Sequence, residues 1–383
     1  MRIGIDVRCF AQGKNTGVEE YTKKALLAVF DRDKENEYIL FFNAWRGQAV
    51  DFSWATKYEN VTLKKYTIPN KLLNACLWLL DYPKLDKLCG GVDAFFMPNS
   101  NFYAISARVK IFLTVHDLSF DHYKETFSLK RRIWHFFVNP RVLAKRAYHI
   151  FTVSEATKED VCETYRIKGG KISVAKNGLS SVQGTFDRNS IDIINVKEKY
   201  DLPYNFILYF GTIEPRKNIV NVIKAYEKVR LQNEENLNHK LVIAGSHGWS
   251  GCQVDDAVKN SKYKEDIKII KNIPEEEKEL IYALASVFVY PSFFEGFGFP
   301  PLEAITCRIP TIVSNKTSLP EVVGDNAIMV DPMRTDELVD ALTAIIDNKK
   351  LQSILTKNSQ AHIKKFTWDL FAKKFVNKTY LSK

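Results

Sequence analysis

The chain has 383 residues, of which 45% are hydrophobic and 26% charged, and its 55 Lys and Arg against 45 Asp and Glu give a net charge of +10. This length accommodates about two domains of roughly 150 residues, and the apolar content excludes a mainly disordered chain. No apolar run approaches the roughly 18 residues of a membrane-spanning helix. The positive charge favours acidic partners and leaves nucleic acid, anionic lipid and phosphorylated small molecules open.

Two further features concern the compartment. Met1–Asp6 lacks the positively charged and then apolar pattern of a signal peptide, so we expect none. The six cysteines are scattered without a C-x-x-C pair, which favours neither a zinc module nor a disulfide framework. We therefore expect a cytoplasmic protein.

Short apolar runs recur along the chain, with helical patterns between them. In the first half, the runs typical of buried parallel strands are Arg2–Asp6, Tyr38–Phe42, Ala94–Met97, Lys110–Val115 and Tyr148–Val153. In the second half they are Phe206–Phe210, Lys240–Ala244, Val287–Tyr290, Thr311–Val313 and Ala327–Val330. Helical spacing is found in Val220–Arg230, Glu275–Ala285 and Thr335–Asp347. This alternation predicts an α/β fold with parallel sheets.

The alternation of strands and helices is interrupted between Gly178 and Tyr204 and then starts again. We therefore expect a first domain at residues 1–185 and a second at residues 205–365, with a ligand-binding cleft between them. Trp368–Tyr380 has apolar residues at helical spacing. It predicts a helix in a C-terminal segment, residues 366–383, that could cross back to the first domain.

In an open α/β sheet, ligands bind outside the carboxyl ends of the strands, so the loops that follow strands are the candidates. Pro291–Ile305 follows a predicted strand and holds a glycine turn, a double proline typical of a helix start, and the carboxylates Glu295 and Glu303. Free N–H groups at a helix start bind anions, and carboxylates accept hydrogen bonds from sugar or ribose hydroxyls. The alternative is structural, with Glu303 complementing the helix dipole and Glu295 solvated.

A second loop, Gly211–Asn218, contains the adjacent cations Arg216 and Lys217. A planar guanidinium and a point charge together suit a diphosphate, and they could stabilise a departing nucleoside diphosphate without a metal. A solvated charge pair is the alternative. Two weaker candidates also follow strands: His116 could face a ligand or be structural, and Gly17, in the stretch Gly13–Tyr21, would let a diphosphate approach the backbone.

Asp31-Arg32-Asp33 matches the D-x-D pattern through which some sugar transferases bind a metal and a diphosphate. It lies between a predicted helix and the following strand, at the edge of the sheet away from the carboxyl ends. We interpret it as a polar turn and expect no bound metal.

Together these loops resemble the retaining glycosyltransferases of family 4, which have the GT-B fold of two Rossmann-like domains with parallel sheets facing a central cleft. The resemblance extends over nearly the whole chain, and its specific parts are the strings Glu295–Glu303 and Glu214–Asn218. It implies that a nucleotide-sugar is the donor substrate and that neither a cofactor nor a metal takes part.

The resemblance also implies roles for individual residues. Arg216 and Lys217 would hold the diphosphate, Glu295 would bind hydroxyls of the donor sugar near the reacting carbon, and Glu303 would bind the ribose. The other implied contacts are the backbone amides around Gly296, Phe297, Gly298 and Phe299 with the sugar and phosphate, Gly17 with the diphosphate, His116 beside the sugar, and Ile273 in the base pocket. By this resemblance Glu295 is not a nucleophile, because the leaving phosphate helps to deprotonate the acceptor on one face of the sugar.

Two positions depart from the family pattern, because Lys271 and Arg308 stand where Gly is usual and so change the backbone freedom near the site. Within the family, Ala244–Trp249 and Thr212–Pro215 resemble bacterial mannosyl- and rhamnosyltransferases of surface polysaccharide synthesis. We expect transfer of mannose from GDP-mannose, with UDP- or dTDP-sugars, such as those of glucose or rhamnose, as the alternatives.

The acceptor is suggested by two segments that mix basic and aromatic residues, Lys71–Lys87 and Lys130–Arg146. Such helices lie on anionic membranes, which suits a lipid-linked oligosaccharide acceptor and peripheral contact with the inner face of the cell membrane. Ordinary amphipathic helices with solvated basic faces are the alternative.

Two other functions are compatible with parts of the sequence. A nucleic-acid-binding module fits the charge, but no stacking, helix-turn-helix or zinc pattern is present, so we expect no nucleic-acid partner. A sugar-nucleotide epimerase or a phosphorylase would keep the fold and change the chemistry.

Overall fold

The computed structural model describes residues 1–12, 17–45, 50–179, 186–187, 190–232, 238–246, 248 and 251–382. Contacts between residues divide the chain into two units. The first unit comprises Met1–His122, Leu129–Ser180 and Phe366–Lys383, and the second comprises Tyr123–Ser128 and Ser181–Lys365. Each unit is built on its own parallel β-sheet with helices between the strands, which confirms the predicted α/β class.

The strands described in the first unit are β1 Arg2–Asp6, β2 Glu37–Asn43, β3 Val61–Tyr66, β4 Ala94–Met97, β5 Lys110–Val115, β6 His149–Thr152 and β7 Ile172–Val174. They form a seven-stranded sheet in the order β3-β2-β1-β4-β5-β6-β7. Gly4 in β1 leaves room for its neighbour, because a Cβ at this position would lie 2.6 Å from Cδ2 of Phe95 in β4. All residues of β4 are buried, as expected for a parallel strand covered on both faces.

The helices of this unit, up to residue 165, are α1 Gly17–Arg32, α2 Ser53–Thr56, α3 Asn70–Leu79, α4 Leu85–Leu88, α5 Ser119–His122, α6 Leu129–Val138, α7 Pro140–Arg146 and α8 Glu155–Tyr165. Local side chains fix where some of them begin. The Ser154 hydroxyl accepts a hydrogen bond of 3.0 Å from the backbone N–H of Thr157 at the start of α8. Asn139 caps α7 in the same way, with Pro140 at its first position. Both caps satisfy backbone donors that the first helical turn leaves without partners.

The strands described in the second unit are β8 Phe206–Phe210, β9 Lys240–Ala244, β10 Ile267–Ile270, β11 Val287–Tyr290, β12 Thr311–Ser314 and β13 Ala327–Val330. They form a parallel sheet in the order β10-β9-β8-β11-β12-β13. The loops after the two adjacent central strands β8 and β11 therefore lie side by side at the carboxyl edge. These are the two loops that the sequence singles out.

The helices described in the second unit are α9 Ile191–Lys199, α10 Ile219–Gln232, α11 Cys252–Lys259, α12 Glu275–Leu284, α13 Phe299–Thr306, α14 Leu319–Val323, α15 Thr335–Ile346, α16 Lys349–Lys357 and α17 Ser359–Ile363. In α10, Val222, Tyr226 and Val229 are buried at helical spacing and belong to the core of this unit. Among the described residues no helix is long and apolar enough to cross a membrane.

The last helix, α18, spans Trp368–Tyr380 and has the bounds predicted from its apolar spacing. Its buried rings Phe371 and Phe375 lie 6.1 and 5.6 Å from the ring of Phe151 in β6. Phe371 also meets the ring of Tyr21 in α1 edge-on at 5.7 Å. The C-terminal helix therefore completes the core of the first unit.

Every run predicted as a strand is a strand, and three strands were missed: β3, β7 and β10. Each of the three forms an edge of its sheet. An edge strand is covered less completely, so polar residues such as Lys64 and Lys65 in β3 and Lys268 in β10 interrupt the apolar run on which the prediction depended.

The region between the two series of strands differs from its sequence interpretation. Gly178–Tyr204 carries little periodic signal, yet α9 lies within it and buries Ile193 and Val196. Helix α9 packs against α12 of the second unit. The second unit therefore has a helix before its first strand.

Candidate active site

The loop after β11 turns sharply before α13 begins. Gly298 has φ +107°, in the left-handed region, and a Cβ at this position would lie 2.6 Å from Cδ2 of Leu319. Phe299 then opens α13, and Pro300 and Pro301 lie in its first turn, as the double proline predicted. The N–H groups of the first turn have no partner within the helix, so the loop ends on a potential anion site.

The loop after β8 makes one turn of 3-10 helix at Pro215–Lys217 and lies against the β11 loop. Asn218 leaves this turn in the left-handed region, with φ +60°, and its side-chain amide donates to the carbonyl oxygens of Pro291 and Pro332. The carbonyl oxygen of Arg216 accepts a hydrogen bond of 2.9 Å from the N–H of Phe293. These bonds hold the two loops together through the backbone.

The two loops bring Arg216, Lys217 and Glu295 together in one cluster. Lys217 Nζ lies 2.5 Å from Glu295 Oε1 and 2.8 Å from the hydroxyl of Tyr290. Arg216 Nη1 lies 3.2 Å from Glu295 Oε2, and its Nε lies 2.6 Å from Glu214 Oε1. Two cations thus face two carboxylates. Glu295 is 7% exposed and Lys217 is 6% exposed.

Burial and the neighbouring charges shift the pKa of Glu295 in opposite directions. Burial alone raises the pKa of this carboxyl, but the charges of Lys217 and Arg216 outweigh it and lower the pKa to about 2. Burial, together with the neighbouring charge of Arg216, lowers the pKa of Lys217. Glu295 is therefore an anion at neutral pH, so its oxygens accept hydrogen bonds and do not supply a proton.

Residues of the next loop hold the backbone around Glu295. The N–H of Glu295 donates to the Thr317 hydroxyl at 3.0 Å, and the Ser318 hydroxyl lies 3.0 and 2.8 Å from the carbonyl oxygens of Glu295 and Phe297. Phe297 is buried, and its ring meets the ring of Phe299 at 5.2 Å. The sequence interpretation missed Thr317 and Ser318. They follow β12, so the rule that selects loops after strands would have found them.

Glu303 lies in α13 and has a different environment. Its Oε1 accepts from Lys278 Nζ at 2.6 Å, and its Oε2 accepts from the Tyr282 hydroxyl at 3.0 Å. The ring of Phe210, at the end of β8, stacks on Tyr282 at 5.1 Å. The sequence interpretation missed Lys278 and Tyr282, although their spacing of four residues in a predicted helix puts them on one face.

Two other predicted site positions, Gly17 and Ile273, have different surroundings. Gly17 opens α1, and a Cβ there would meet nothing within 4 Å, so the described structure leaves open space beside it. Its neighbours 13–16 lie outside the described residues, as do 247 and 249 of the string Ala244–Trp249. Ile273 follows β10 and packs on the core of the second unit.

His116 directly follows β5 in the first unit. Its Nε2 lies 2.8 Å from the carbonyl oxygen of Pro98, and the ring of Tyr21 meets it edge-on at 4.5 Å. Burial lowers the pKa of His116, so the ring is neutral at pH 7. A carbonyl can only accept, so Nε2 carries the proton and Nδ1 is an acceptor.

Of the two positions that depart from the family pattern, Arg308 adopts the left-handed region, with φ +56°, and Lys271 does not. The left-handed residue beside Lys271 is Asn272, with φ +56°. Asparagine tolerates this conformation better than most residues. The backbone near Ile273 therefore turns one residue later than the missing glycine suggested.

The D-x-D string has structural partners at both carboxylates. Asp33 is buried and accepts hydrogen bonds of 2.6 Å from Tyr38 and from Asn36, and Asp31 accepts from Tyr58. These bonds support the interpretation as a polar turn. Within the described part of the chain, no group of three His, Cys, Asp or Glu side chains is arranged to hold a metal ion.

Comparison with known proteins identifies the family of both halves. The family model "Glycosyltransferase Family 4" matches residues 55–181, and the model "Glycosyl transferases group 1" matches residues 190–362. O-antigen chain mannosyltransferase B of Escherichia coli is 31% identical over 270 residues, which are 70% of this chain and 70% of that protein. The serotype-specific mannosyltransferase WbdA of Escherichia coli is 29% identical over 295 residues, which are 72% of this chain and 35% of WbdA.

Among solved structures, sucrose-phosphate synthase from Thermosynechococcus elongatus matches with a TM-score of 0.75 at 16% identity, over 100% of both chains. This likeness concerns the fold, which is GT-B. Together with the two family models and the mannosyltransferase relatives, it shows that the chain belongs to the family 4 glycosyltransferases.

Proposed function

We propose that this glycosyltransferase transfers mannose from GDP-mannose to a glycan acceptor in surface polysaccharide synthesis, with retention at the reacting carbon. The observation that carries the proposal is the buried cluster in which Glu295 faces both Lys217 and Arg216 at the carboxyl edge of the second sheet. The similarity to O-antigen mannosyltransferases supports the sugar and the polysaccharide. UDP- and dTDP-sugars are the alternative donors.

In this proposal Arg216 and Lys217 bind the donor diphosphate. Their charges are balanced by Glu295 and Glu214, so the diphosphate shares cations that already have partners. The first turn of α13, after Gly298, adds backbone N–H groups to the same site. Negative charge grows on the diphosphate as the glycosidic bond breaks, and fixed cations and amide dipoles then stabilise the leaving group most.

Glu295 would accept hydrogen bonds from hydroxyls of the donor sugar, and a sugar contact of His116 is what the family resemblance implies. Glu295 is ionised because its pKa is about 2, so it is an acceptor throughout the reaction. His116 is neutral with its proton on Nε2, so Nδ1 is an acceptor as well. Neither group attacks the sugar, because the acceptor oxygen itself bonds to the reacting carbon as the bond from that carbon to the diphosphate breaks, and the leaving phosphate takes the proton of the acceptor hydroxyl. Glu303 would bind the ribose, and Ile273 would line the base pocket.

A surface of the first unit supports a lipid-linked acceptor. Nine large apolar side chains on or beside α3, α6 and α7 are exposed: Leu72, Trp78, Leu79, Leu80, Tyr82, Leu129, Ile133, Phe136 and Val142. The rings of Trp78 and Phe137 meet at 4.5 Å and join α3 to α6. We call these residues the α3–α6 surface.

The charge of this surface fits an anionic bilayer. The segment from 129 to 146 contains six Lys or Arg residues and no Asp or Glu. Exposed apolar side chains insert into the lipid, and the basic side chains beside them attract its anionic headgroups. We infer that the enzyme meets its acceptor at a membrane surface.

Vesicle sedimentation tests this surface. Wild type is expected to sediment with vesicles that contain phosphatidylglycerol and to remain in solution with pure phosphatidylcholine. The double variant Leu79→Gln, Leu80→Gln is expected to lose most of the binding, and Tyr204→Gln, which changes an exposed ring of the second unit, to keep it. Equal sedimentation of wild type and the double variant contradicts the inference.

A donor screen tests the transferase proposal itself. GDP-mannose is expected to raise the melting temperature of the wild type more than UDP- or dTDP-sugars do, because a ligand that binds the native state stabilises it. Glu303→Gln is expected to reduce this shift, because it weakens the proposed contact with the ribose. A larger shift with a UDP- or dTDP-sugar would identify that nucleotide-sugar as the donor. No shift with any nucleotide-sugar contradicts the proposal.

A further inference from the structure

The carboxylate of Glu303 is held from two sides by α12. Lys278 Nζ lies 2.6 Å from Oε1, and the Tyr282 hydroxyl lies 3.0 Å from Oε2. The Lys278 and Glu303 side chains are only 16% and 15% exposed. Burial and the neighbouring Glu303 raise the pKa of Tyr282 well above its ordinary value, so its phenol keeps the proton that it donates. The hydrogen bond from Tyr282 therefore persists at neutral pH.

These contacts fix the direction in which the carboxylate can bind something else. Each carboxylate oxygen has two lone-pair directions, and each oxygen of Glu303 uses one of them towards α12. One acceptor direction is left at each oxygen, and both lie in the plane of the same carboxylate. Two adjacent hydroxyls, such as those on C2′ and C3′ of a ribose, match such a pair of acceptors.

We propose that Lys278 is a positioning residue that orients the Glu303 carboxylate for the two ribose hydroxyls of the donor. This inference rests on the proposed function, because it assumes that a ribonucleotide occupies the site. The ion pair is partly buried, so water screens it less than an exposed pair and it can hold one geometry. The second acid near Lys278, Glu275, lies 3.7 Å away and is 73% exposed, so it competes weakly.

A purely structural role for Lys278 is disfavoured by the other contacts of α12. The helix buries Ile281 and Tyr282 in the core. Glu277, which precedes Lys278, forms an ion pair of 2.6 Å with Lys199 at the end of α9. It also accepts a hydrogen bond of 2.6 Å from the hydroxyl of Tyr200, the residue after α9. These contacts anchor α12 without Lys278.

Calorimetric titration with GDP and with 2′-deoxy-GDP measures the proposed role. Wild type is expected to bind GDP about tenfold more tightly, since one hydrogen bond from the 2′-hydroxyl to a charged group is lost in the deoxy compound. In Lys278→Met this ratio is expected to fall towards one, and Lys278→Arg is expected to restore it. The ratio isolates the ribose, because a general loss of structure weakens both nucleotides alike.

Lys199→Met is the matched control. It removes the same charge and breaks an ion pair to the same helix, but its partner is Glu277 and not Glu303. The GDP ratio is expected to stay at the wild-type value. Melting temperatures of both methionine variants verify that they fold.

Two outcomes overturn the inference in distinguishable ways. An unchanged ratio in a folded Lys278→Met overturns it alone and leaves the transferase intact. If the wild type prefers UDP, the same comparison is made with UDP and 2′-deoxy-UDP. A wild type that binds neither ribonucleotide overturns the proposed function and this inference together.

Discussion

The two acids that follow β11 are held in different ways. Glu295 lies in the loop, is nearly enclosed, and faces two cations that lower its pKa to about 2. Glu303 lies in α13, is partly exposed, and has one lysine and one tyrosine as partners. The first environment keeps Glu295 ionised, and the second holds the Glu303 carboxylate in one orientation. We therefore expect changes around Glu295 to affect the chemical step and changes around Glu303 to affect donor binding.

Changing one charged residue in each cluster, Lys217 in the first and Glu303 in the second, is expected to give the largest difference between them. Lys217→Met is expected to lower kcat about 10²- to 10³-fold, as when one preorganised donor is lost from a site of developing charge. Glu303→Gln is expected to raise the KM for GDP-mannose about tenfold with little change in kcat. Steady-state kinetics with GDP-mannose measure both. The comparison breaks if both variants change the same parameter by the same factor.

The stability of the Glu295 cluster gives the next largest effect. Glu295→Gln leaves Lys217 buried without its anion, and we expect a loss of about 3 kcal/mol in the free energy of unfolding at pH 7. The pKa of Glu295 is lowered from 4.5 to about 2 on folding. Its contribution to stability is therefore complete above pH 4.5 and disappears as the pH falls through 2.

Denaturant unfolding of wild type and Glu295→Gln at pH 7, 4.5 and 3 measures this dependence. The difference between the two proteins is expected to shrink as the pH falls. Other carboxylates titrate in both proteins, so only the difference is informative. A constant difference from pH 7 to pH 3 would show that Glu295 carries no linked proton.

Gly298 lies in the turn between the two acids, directly before α13. Gly298→Ala forces a Cβ into a left-handed backbone at φ +107°, 2.6 Å from Leu319. We expect a loss of about 1–3 kcal/mol in stability and weaker donor binding, because the start of α13 shifts. Thermal unfolding with and without GDP measures both. Gly17→Ala, with open space around its Cβ, is the comparison for stability alone.

The smallest effect is expected from metal removal. Both clusters neutralise or orient charge with Lys, Arg and Tyr, and the carboxylates of Asp31 and Asp33 accept bonds from the protein. Transfer is therefore expected to proceed unchanged in excess EDTA. A loss of transfer that Mg²⁺ or Mn²⁺ restores would assign a metal to the reaction.

The sequence predicted the central strands because a parallel strand covered on both faces is a continuous apolar run. It missed β3 and β10 because lysines interrupt their apolar runs at the sheet edges, and it missed β7 because this strand has only three residues. The cluster around Glu295 could be anticipated from two loops after strands, since adjacent parallel strands end at the same edge. The roles proposed for its residues come from the family resemblance and stay predictions.

The partners of Glu303 could not be predicted from the sequence for a different reason. Lys278 lies 25 residues before Glu303 and within a helix, so a search of the loops after strands does not include it. Its spacing from Tyr282 predicts a shared face, but not which acid that face meets. Long-range pairing of this kind depends on how α12 and α13 pack, which local pattern does not specify.

Transfer of radiolabelled mannose from GDP-mannose to a glycan acceptor, by wild type and by Glu295→Ala, tests the central claim most directly. We expect labelled product with the wild type and none with Glu295→Ala, provided that the circular dichroism of the variant shows native secondary structure. Full transfer by the folded variant would show that the buried carboxylate between Lys217 and Arg216 is dispensable.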